Sequence, residues 1–228
     1  MARGLPETKI IMMFALEKEM IPVLKRDLPL LFGHVHTEEE FVCGVGRPDL
    51  VFATIAQEMD RVLALPDYQA IHLLIRYLNK EGKTVHIDRI LGLAIFPKKR
   101  VLTILDSLIA LGFIELNDGE YSFKKAYTPL VQDFVSIEAK LSNWKEGLYQ
   151  AVRYQTFSDR AYLAIAEEHL NRVDQKQLRE YGVGLISVSR TGARLILLAK
   201  KNKPRDFISR QYLSEAFCVK NGLALSAI

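Results

Sequence analysis

The stretch that decides the fold is Phe134-Val135-Ser136-Ile137-Glu138-Ala139-Lys140-Leu141. This mostly apolar run predicts a buried strand. Successive side chains of a strand point to opposite faces, so Glu138 and Lys140 share one face. Ala139 points to the other face, together with Val135 and Ile137. Two charges on one face of an apolar strand are costly to bury unless they pair or bind a metal ion, which makes this pair a candidate for site chemistry.

Three further elements accompany this strand. The helix predicted to follow it carries Gln150 and Tyr154, which are four positions apart and therefore lie on one helix face. Upstream, Pro48 and Asp49 stand at the start of an apolar strand. Glu17 stands at the start of the first predicted helix.

This ordered set resembles the PD-(D/E)XK nuclease superfamily, and its Gln-x-x-x-Tyr element resembles the RecB-like branch. The resemblance covers about residues 10–55 and 128–220 and implies an α/β fold of the restriction-endonuclease type, with a mixed central sheet flanked by helices. The sequence reproduces the family's order of helix, strands carrying the aspartate, Glu-x-Lys strand, helix and further strands. It departs in spacing, because Asp49 and Glu138 lie 89 positions apart, much further than is usual in the superfamily.

The resemblance also implies a catalytic site. Asp49 and Glu138, with the main-chain carbonyl of Ala139, are expected to hold Mg²⁺ or Mn²⁺ through hard oxygen ligands. The ion would polarise the phosphate and lower the pKa of its water. Lys140 would orient the attacking water or stabilise the charge of the transition state. Glu17 is expected at the edge of the site, where it would complete the set of carboxylates.

By the same resemblance, Gln150 and Tyr154 would contact the nucleic acid or steady the site. The implied activity is metal-dependent hydrolysis of DNA phosphodiester bonds. Taken singly, the motifs leave plainer explanations open, because Pro-Asp is a common turn dipeptide and Glu-Ala-Lys a common solvated triplet. The alternative function is therefore a catalytically inactive nuclease fold that acts as a DNA-binding transcriptional or defence-related regulator.

A segment of different character separates the two halves of the nuclease pattern. Its predicted elements are helices at 68–78, 88–93 and 98–111 and a hairpin of strands 113–116 and 120–123 joined at an Asp-Gly turn. Three helices followed by a two-stranded wing are the layout of a winged helix. We therefore predict a discontinuous nuclease-like domain, residues 1–66 and 128–228, with a winged helix inserted at 67–127. Such an insertion is tolerated when its two ends lie close together.

The predicted nucleic-acid contacts are Lys98, Lys99, Arg100 and Thr103 near the start of one helix and Lys200, Lys201 and Lys203 in a later loop. In a helix-turn-helix the second helix of the motif places its N-terminal residues against DNA, and the first group begins the corresponding helix here. The second group would line a path beside the nuclease site. Both have alternatives, since many winged helices contact proteins and a basic run is often only a solvated loop.

The composition limits these hypotheses without choosing among them. The 228 residues include 31 Lys+Arg and 27 Asp+Glu, with 49% hydrophobic and 25% charged residues, which is typical of a globular protein and excludes a disordered or fibrous chain. A net charge of +4 permits a nucleic-acid partner but does not require one. Cys43 and Cys218 form no CxxC pair, and no apolar run approaches the roughly 20 residues that span a bilayer. We predict a cytoplasmic protein with DNA and no membrane as partner; a homodimer is left open.

Overall fold

A computed structural model describes residues 13–55, 63–65, 67–75, 84–94, 96–125 and 127–226. Its strands are β1 (His36–Glu39), β2 (Leu50–Ile55), β3 (Leu63–Ala64), β4 (Val85–His86), β5 (Ile114–Asn117), β6 (Glu120–Phe123), β7 (Val131–Lys140), β8 (Arg160–Ala166), β9 (Gly184–Ser189), β10 (Gly192–Leu197) and β11 (Leu225–Ser226). Its α-helices are α1 (Ile21–Phe32), α2 (Tyr68–Leu73), α3 (Ile87–Leu93), α4 (Lys98–Ala110), α5 (Trp144–Tyr154), α6 (Gln175–Tyr181) and α7 (Phe207–Lys220). The first twelve residues of the predicted nuclease-like domain and positions 76–78 of a predicted helix lie outside these ranges.

The largest element is a six-stranded sheet in the order β1-β2-β7-β8-β9-β10. β7, β8 and β9 are parallel to one another, whereas β1, β2 and β10 pair antiparallel with their neighbours. The predicted α/β class, with a mixed sheet flanked by helices, is confirmed. In the described ranges no helix is long and apolar enough to cross a membrane.

The sheet separates two apolar layers. On one face of β7, Val135 and Ile137 pack in a cluster with Leu24 of α1. The other face of β7 lies against α5 and α7, and there the ring of Phe134 meets the ring of Phe217 edge-on at 5.6 Å. This alternation is the one predicted from the sequence of the strand, and it places Glu138 and Lys140 on the second face.

A separate apolar cluster belongs to the segment between β3 and β7. It lies among α2, α3, α4 and a three-stranded antiparallel sheet in the order β4-β6-β5, and its buried members include Ile71, Ile104, Leu108 and Tyr121. The predicted hairpin is confirmed, because β5 and β6 pair with Asn117 opposite Glu120 on the two sides of the Asp-Gly turn. Two residues of α7, Ile208 and Tyr212, join this cluster and connect it to the rest of the protein.

The two ends of this segment meet on α7. The fully buried carboxylate of Glu215 accepts hydrogen bonds from the main-chain N–H of Leu65 at 2.8 Å and from the hydroxyl of Tyr127 at 2.6 Å. The chain thus leaves the large sheet and returns to it at neighbouring positions. Close ends are what an inserted domain requires, and the exact bounds 67 and 127 stay a prediction.

Helix α7 is also tied to the first residues of β7. Arg210 of α7 and Asp159, which precedes β8, form a buried ion pair with 2.7 Å between Nη2 and Oδ2. The same Nη2 donates to the carbonyl oxygen of Val131 at 3.0 Å, and Oδ2 of Asp159 accepts from the N–H of Phe134 at 2.8 Å. These bonds satisfy both buried charges and fix the start of β7 against the helix.

We expect Arg210→Met to lower the free energy of unfolding by about 3 to 5 kcal/mol, because it leaves the buried carboxylate of Asp159 without its cation. Urea denaturation measures this effect. The matched control is Arg194→Met, which breaks the exposed pair with Glu167 and should cost less than about 1 kcal/mol. Equal losses in the two variants would contradict a special role for the buried pair.

Candidate active site

The two charged residues at the end of β7 are buried together. The Glu138 side chain is 3% exposed and that of Lys140 is 11% exposed, and Oε1 of Glu138 lies 3.0 Å from Nζ of Lys140. They lie on the same face of β7, as the alternation predicts. The ion pair offsets part of the cost of burying both charges.

Asp49 lies beside this pair. It immediately precedes β2, whose first residue, Leu50, is opposite Ile137 in the antiparallel register. The main-chain N–H of Ala139 donates to Oδ2 of Asp49 at 2.7 Å. Two residues that are 89 positions apart in sequence are therefore joined by pairing of adjacent strands, with the predicted winged-helix segment between them.

Glu17 reaches the same end of β7 from the 3₁₀ turn Glu17–Met20 that precedes α1. Its Oε1 accepts from the N–H of Leu141 at 3.2 Å, and its Oε2 lies 3.7 Å from Nζ of Lys140. Glu17 is more exposed than Glu138, so it stands at the rim. The structure thus brings together four predicted site residues: Glu17, Asp49, Glu138 and Lys140.

Helix α5 adds Tyr154 to this group because the helix lies unusually close to the sheet. A Cβ atom at Gly147 would lie 2.5 Å from Cδ1 of Leu163 and 2.9 Å from Cγ of Lys140, so only glycine fits at that crossing. The buried hydroxyl of Tyr154 donates to Oε2 of Glu138 at 3.0 Å. Both oxygens of the Glu138 carboxylate therefore have a partner.

Gln150 lies one turn before Tyr154 on α5, as predicted. Its Oε1 is buried and has no hydrogen-bond partner among the described residues. No hydrogen bond links Gln150 to Glu138 or Lys140 in that part of the chain. Its place on the helix follows the motif, and its side-chain oxygen is buried there without a partner from the described ranges.

Burial shifts the pKa values of the site residues. Burial raises the pKa of Asp49, and the N–H of Ala139 and the charge of Lys140 offset only part of that effect. Burial and then the charge of Asp49 raise the pKa of Glu138, against the opposing effect of Lys140 and Tyr154. For Lys140, burial acts to lower the pKa, but the hydrogen bond and charge of Glu138, helped by the other carboxylates, raise it above its ordinary value. The lysine therefore stays cationic at neutral pH.

The donor set has the chemistry that a hard divalent cation needs. Asp49 and Glu138 lie close enough for one charge to raise the pKa of the other, and a cation between them would relieve that repulsion. Among the residues described, no group of three or more His, Cys, Asp or Glu side chains has the arrangement of a metal cluster. Magnesium is commonly held by one or two carboxylates and several waters, so a pair of carboxylates fits it.

The residues near the start of α4 that are predicted to contact DNA differ in the exposure of their charged groups. Lys98 and Lys99 are exposed. Arg100 instead bonds to the carboxylate of Asp67, which caps α2, and its Nε donates to Oε1 of Gln69 at 3.1 Å. Arg100 thus joins α4 to α2, and the two lysines carry the accessible charge.

Thr103, one turn into α4, is exposed, and its hydroxyl donates to the carbonyl oxygen of Lys99 at 3.1 Å. In the loop after β10, Lys200 and Lys203 are also exposed. Lys201 forms an ion pair with Asp133 of β7 at 2.5 Å. The structure leaves these residues on the surface without bringing them to the end of β7 where the carboxylates meet.

Sequence reasoning missed one group at the site, formed by Gly46 and Arg153. Gly46 has a φ of +144°, and a Cβ atom there would lie 3.1 Å from Cε1 of Tyr154 and 3.2 Å from Nη2 of Arg153. Arg153 immediately precedes Tyr154 within the Gln-x-x-x-Tyr element, and that position was the available signal. The loop before β2 therefore packs against the helix that supplies Tyr154.

The chain matches no protein-family profile and no curated protein. The solved structure of SPO1766, a protein of unknown function from Silicibacter pomeroyi, resembles it with a TM-score of 0.45 and 14% sequence identity, over 92% of this chain and 89% of that one. A similarity at this level establishes neither a shared fold nor a shared function.

We expect Asp49→Asn to raise the free energy of unfolding at neutral pH. The amide oxygen of Asn can still accept from Ala139, whereas the buried negative charge is removed. Because folding raises the pKa of Asp49, its charge destabilises the folded state above the ordinary value of 3.8, and the gain should vanish as the pH falls towards that value.

Urea denaturation at neutral and acidic pH measures this difference. The control is Asp106→Asn on the exposed face of α4, which should change stability little at either pH. A loss of stability at neutral pH in Asp49→Asn would show that the carboxylate charge is favourable where it stands.

Proposed function

We propose that this protein is a metal-dependent nuclease that hydrolyses DNA phosphodiester bonds, built on a PD-(D/E)XK fold with an inserted winged helix. The observation that carries the proposal is the meeting of Glu17, Asp49, Glu138 and Lys140 at one end of β7. They come from three separate elements, and the sequence order of the set is the one the superfamily uses.

In this proposal Asp49 and Glu138, with the carbonyl of Ala139, hold Mg²⁺ or Mn²⁺. When bound there, the ion polarises the phosphate and makes an attacking water more acidic. The raised pKa values of both carboxyl groups support this role, because a buried carboxylate pair gains most from a nearby divalent cation. Asp49 has one oxygen without a bond from the described residues, which leaves it available for ligation.

Lys140 acts as a cation and hydrogen-bond donor rather than as a base. Its pKa lies above the ordinary lysine value, so it keeps its proton at neutral pH. Nζ lies between Glu138 at 3.0 Å and Glu17 at 3.7 Å, and these contacts hold the amino group at the end of β7. From there it would orient the attacking water or stabilise charge on the phosphate in the transition state.

The segment between β3 and β7 supports the assignment of a winged helix. Its described residues form three helices, a three-stranded antiparallel sheet with a hairpin wing, and an apolar cluster. Lys98 and Lys99 are exposed at the start of α4, and in a helix-turn-helix the N-terminal residues of the recognition helix meet DNA. The proposed role of this segment is to engage duplex DNA beside the nuclease site.

One observation favours the second candidate, an inactive DNA-binding regulator that keeps the nuclease fold as a scaffold. Both oxygens of Glu138 already have partners, in Lys140 and Tyr154, so the carboxylate is satisfied without an ion. Each carboxylate oxygen has two lone pairs, and these partners therefore leave room for ligation. An assay for DNA cleavage therefore distinguishes the active nuclease from the inactive regulator.

We expect Mg²⁺-dependent cleavage of single- or double-stranded DNA, which EDTA abolishes. Lys140→Ala should lower the rate about 100-fold or more, because it removes the cation nearest the carboxylates. Lys176→Ala, on the exposed surface of α6, is the matched control and should cleave like the wild type. Gel assays with both DNA forms provide the measurement. No cleavage of either substrate, or equal cleavage by Lys140→Ala, would refute the catalytic proposal.

The double variant Lys98→Ala/Lys99→Ala should bind duplex DNA more weakly and with a salt slope smaller by about 1.8, since each phosphate contact contributes about 0.9. Fluorescence anisotropy over a range of salt concentrations measures the slope. The control is Lys145→Ala/Lys176→Ala, two exposed lysines on α5 and α6. An unchanged slope in the α4 variant would indicate that this helix serves a protein contact instead.

A further inference from the structure

Arg153 lies at the rim of the candidate active site and has no role in the mechanism proposed above. It is an exposed residue of α5, directly before the buried Tyr154. Its Nη2 lies 3.2 Å from the position that a Cβ atom of Gly46 would occupy, and the Tyr154 hydroxyl lies 3.7 Å from the same point. The guanidinium and the hydroxyl therefore converge over the loop that leads into β2.

The Arg153 guanidinium lies beside the Tyr154 hydroxyl, because both approach the same point above Gly46. Burial, then the charge and hydrogen bond of Glu138, raise the pKa of Tyr154 far above its ordinary value, and the nearby Arg153 side chain acts in the opposite direction. The hydroxyl itself donates to Oε2 of Glu138 at 3.0 Å. One hydroxyl thus separates the guanidinium from the carboxylate of the site.

The charge of Arg153 is not neutralised by an ion pair with any described residue. The nearby Arg47, in the same loop as Gly46, offers a contrast, because its Nη1 bonds to Oε2 of Glu40 at 2.8 Å. A guanidinium has five N–H donors in a planar fork. Such a fork binds a bidentate oxyanion, either a carboxylate or a phosphate, and phosphate is the one that a nucleic-acid substrate carries.

We propose that Arg153 binds a phosphate of the nucleic-acid substrate next to the scissile one and so positions the strand at the site. The inference rests on the proposed nuclease function and assigns a substrate contact to that same site. The guanidinium lies beside the hydroxyl that donates to Glu138 and carries no carboxylate partner among the described residues. A phosphate held there would place the adjoining phosphodiester towards Lys140 and the carboxylates.

The test measures binding of a short fluorescein-labelled DNA, as single strand and as duplex, in EDTA over a range of salt concentrations. Arg153→Ala should weaken binding about tenfold and reduce the salt slope by about 0.7 to 0.9, the value for one phosphate contact. Arg153→Lys keeps the charge and loses the fork, so its slope should stay near that of the wild type while its affinity falls. The matched control is Arg47→Ala, which removes a rim arginine that is already paired.

Steady-state cleavage in Mg²⁺ supplies the second readout. A positioning contact to a non-scissile phosphate predicts a KM raised about tenfold in Arg153→Ala, with kcat changed much less. Far-ultraviolet circular dichroism verifies that each variant is folded. If the wild type binds and cleaves DNA but Arg153→Ala has the same salt slope and KM as Arg47→Ala, the role of Arg153 is refuted and the proposed nuclease function stands. If the wild type neither binds nor cleaves DNA, the proposed function and this inference fail together.

Discussion

The ion pair of Glu138 and Lys140 on β7 is the constraint around which the site is arranged. Two charges at the end of a strand in the middle of the sheet are costly to bury, and their mutual bond at 3.0 Å offsets only part of that cost. Contacts from other parts of the chain offset the remaining cost of burying the two charges. Glu17 contacts Lys140 from the turn before α1, and Tyr154 of α5 donates to Glu138. The candidate site is thus also the set of contacts that makes the charged end of β7 tolerable.

Helix α7 holds the opposite end of β7, so different parts of the chain hold the two ends of this strand. Arg210 and Asp159 hold the first residues of the strand, while Glu215, one turn further along α7, binds both Leu65 and Tyr127. The segment carrying Lys98 and Lys99 is therefore anchored to the helix that anchors β7. A connection of this kind would let the proposed DNA-engaging segment and the proposed cleavage site act on one nucleic acid.

The local sequence pattern was enough to predict most helices and strands. It failed where contacts between residues far apart in sequence determine the structure. The alternation along β7, the helix that follows this strand and the Asp-Gly hairpin follow from periodicity and turn chemistry, and the structure confirms them. Strand β1 ends at Glu39 because Glu40 takes a positive φ of 51°, a local conformation that periodicity does not indicate. The short parallel pairing of β3 with β11 was not predicted, since two-residue strands depend on tertiary contacts and carry no periodic signal.

The candidate site shows the same division. The residue spacing in β7 and α5 correctly predicted the elements that carry Glu138, Lys140, Gln150 and Tyr154. The bond of Arg100 to Asp67 and the packing of Arg153 over Gly46 could not be predicted in this way, because they join residues far apart in sequence. These two arginines illustrate how the electrostatics of the site are completed. Carboxyl groups at the end of β7 attract a divalent cation and repel a polyanion, so a nucleic acid needs a compensating charge to approach. Arg100 does not supply it, because its charge is paired with Asp67. Arg153 stands at the rim beside the hydroxyl that donates to Glu138, so in the proposed mechanism its guanidinium would compensate the acidic groups when a phosphate substrate approaches.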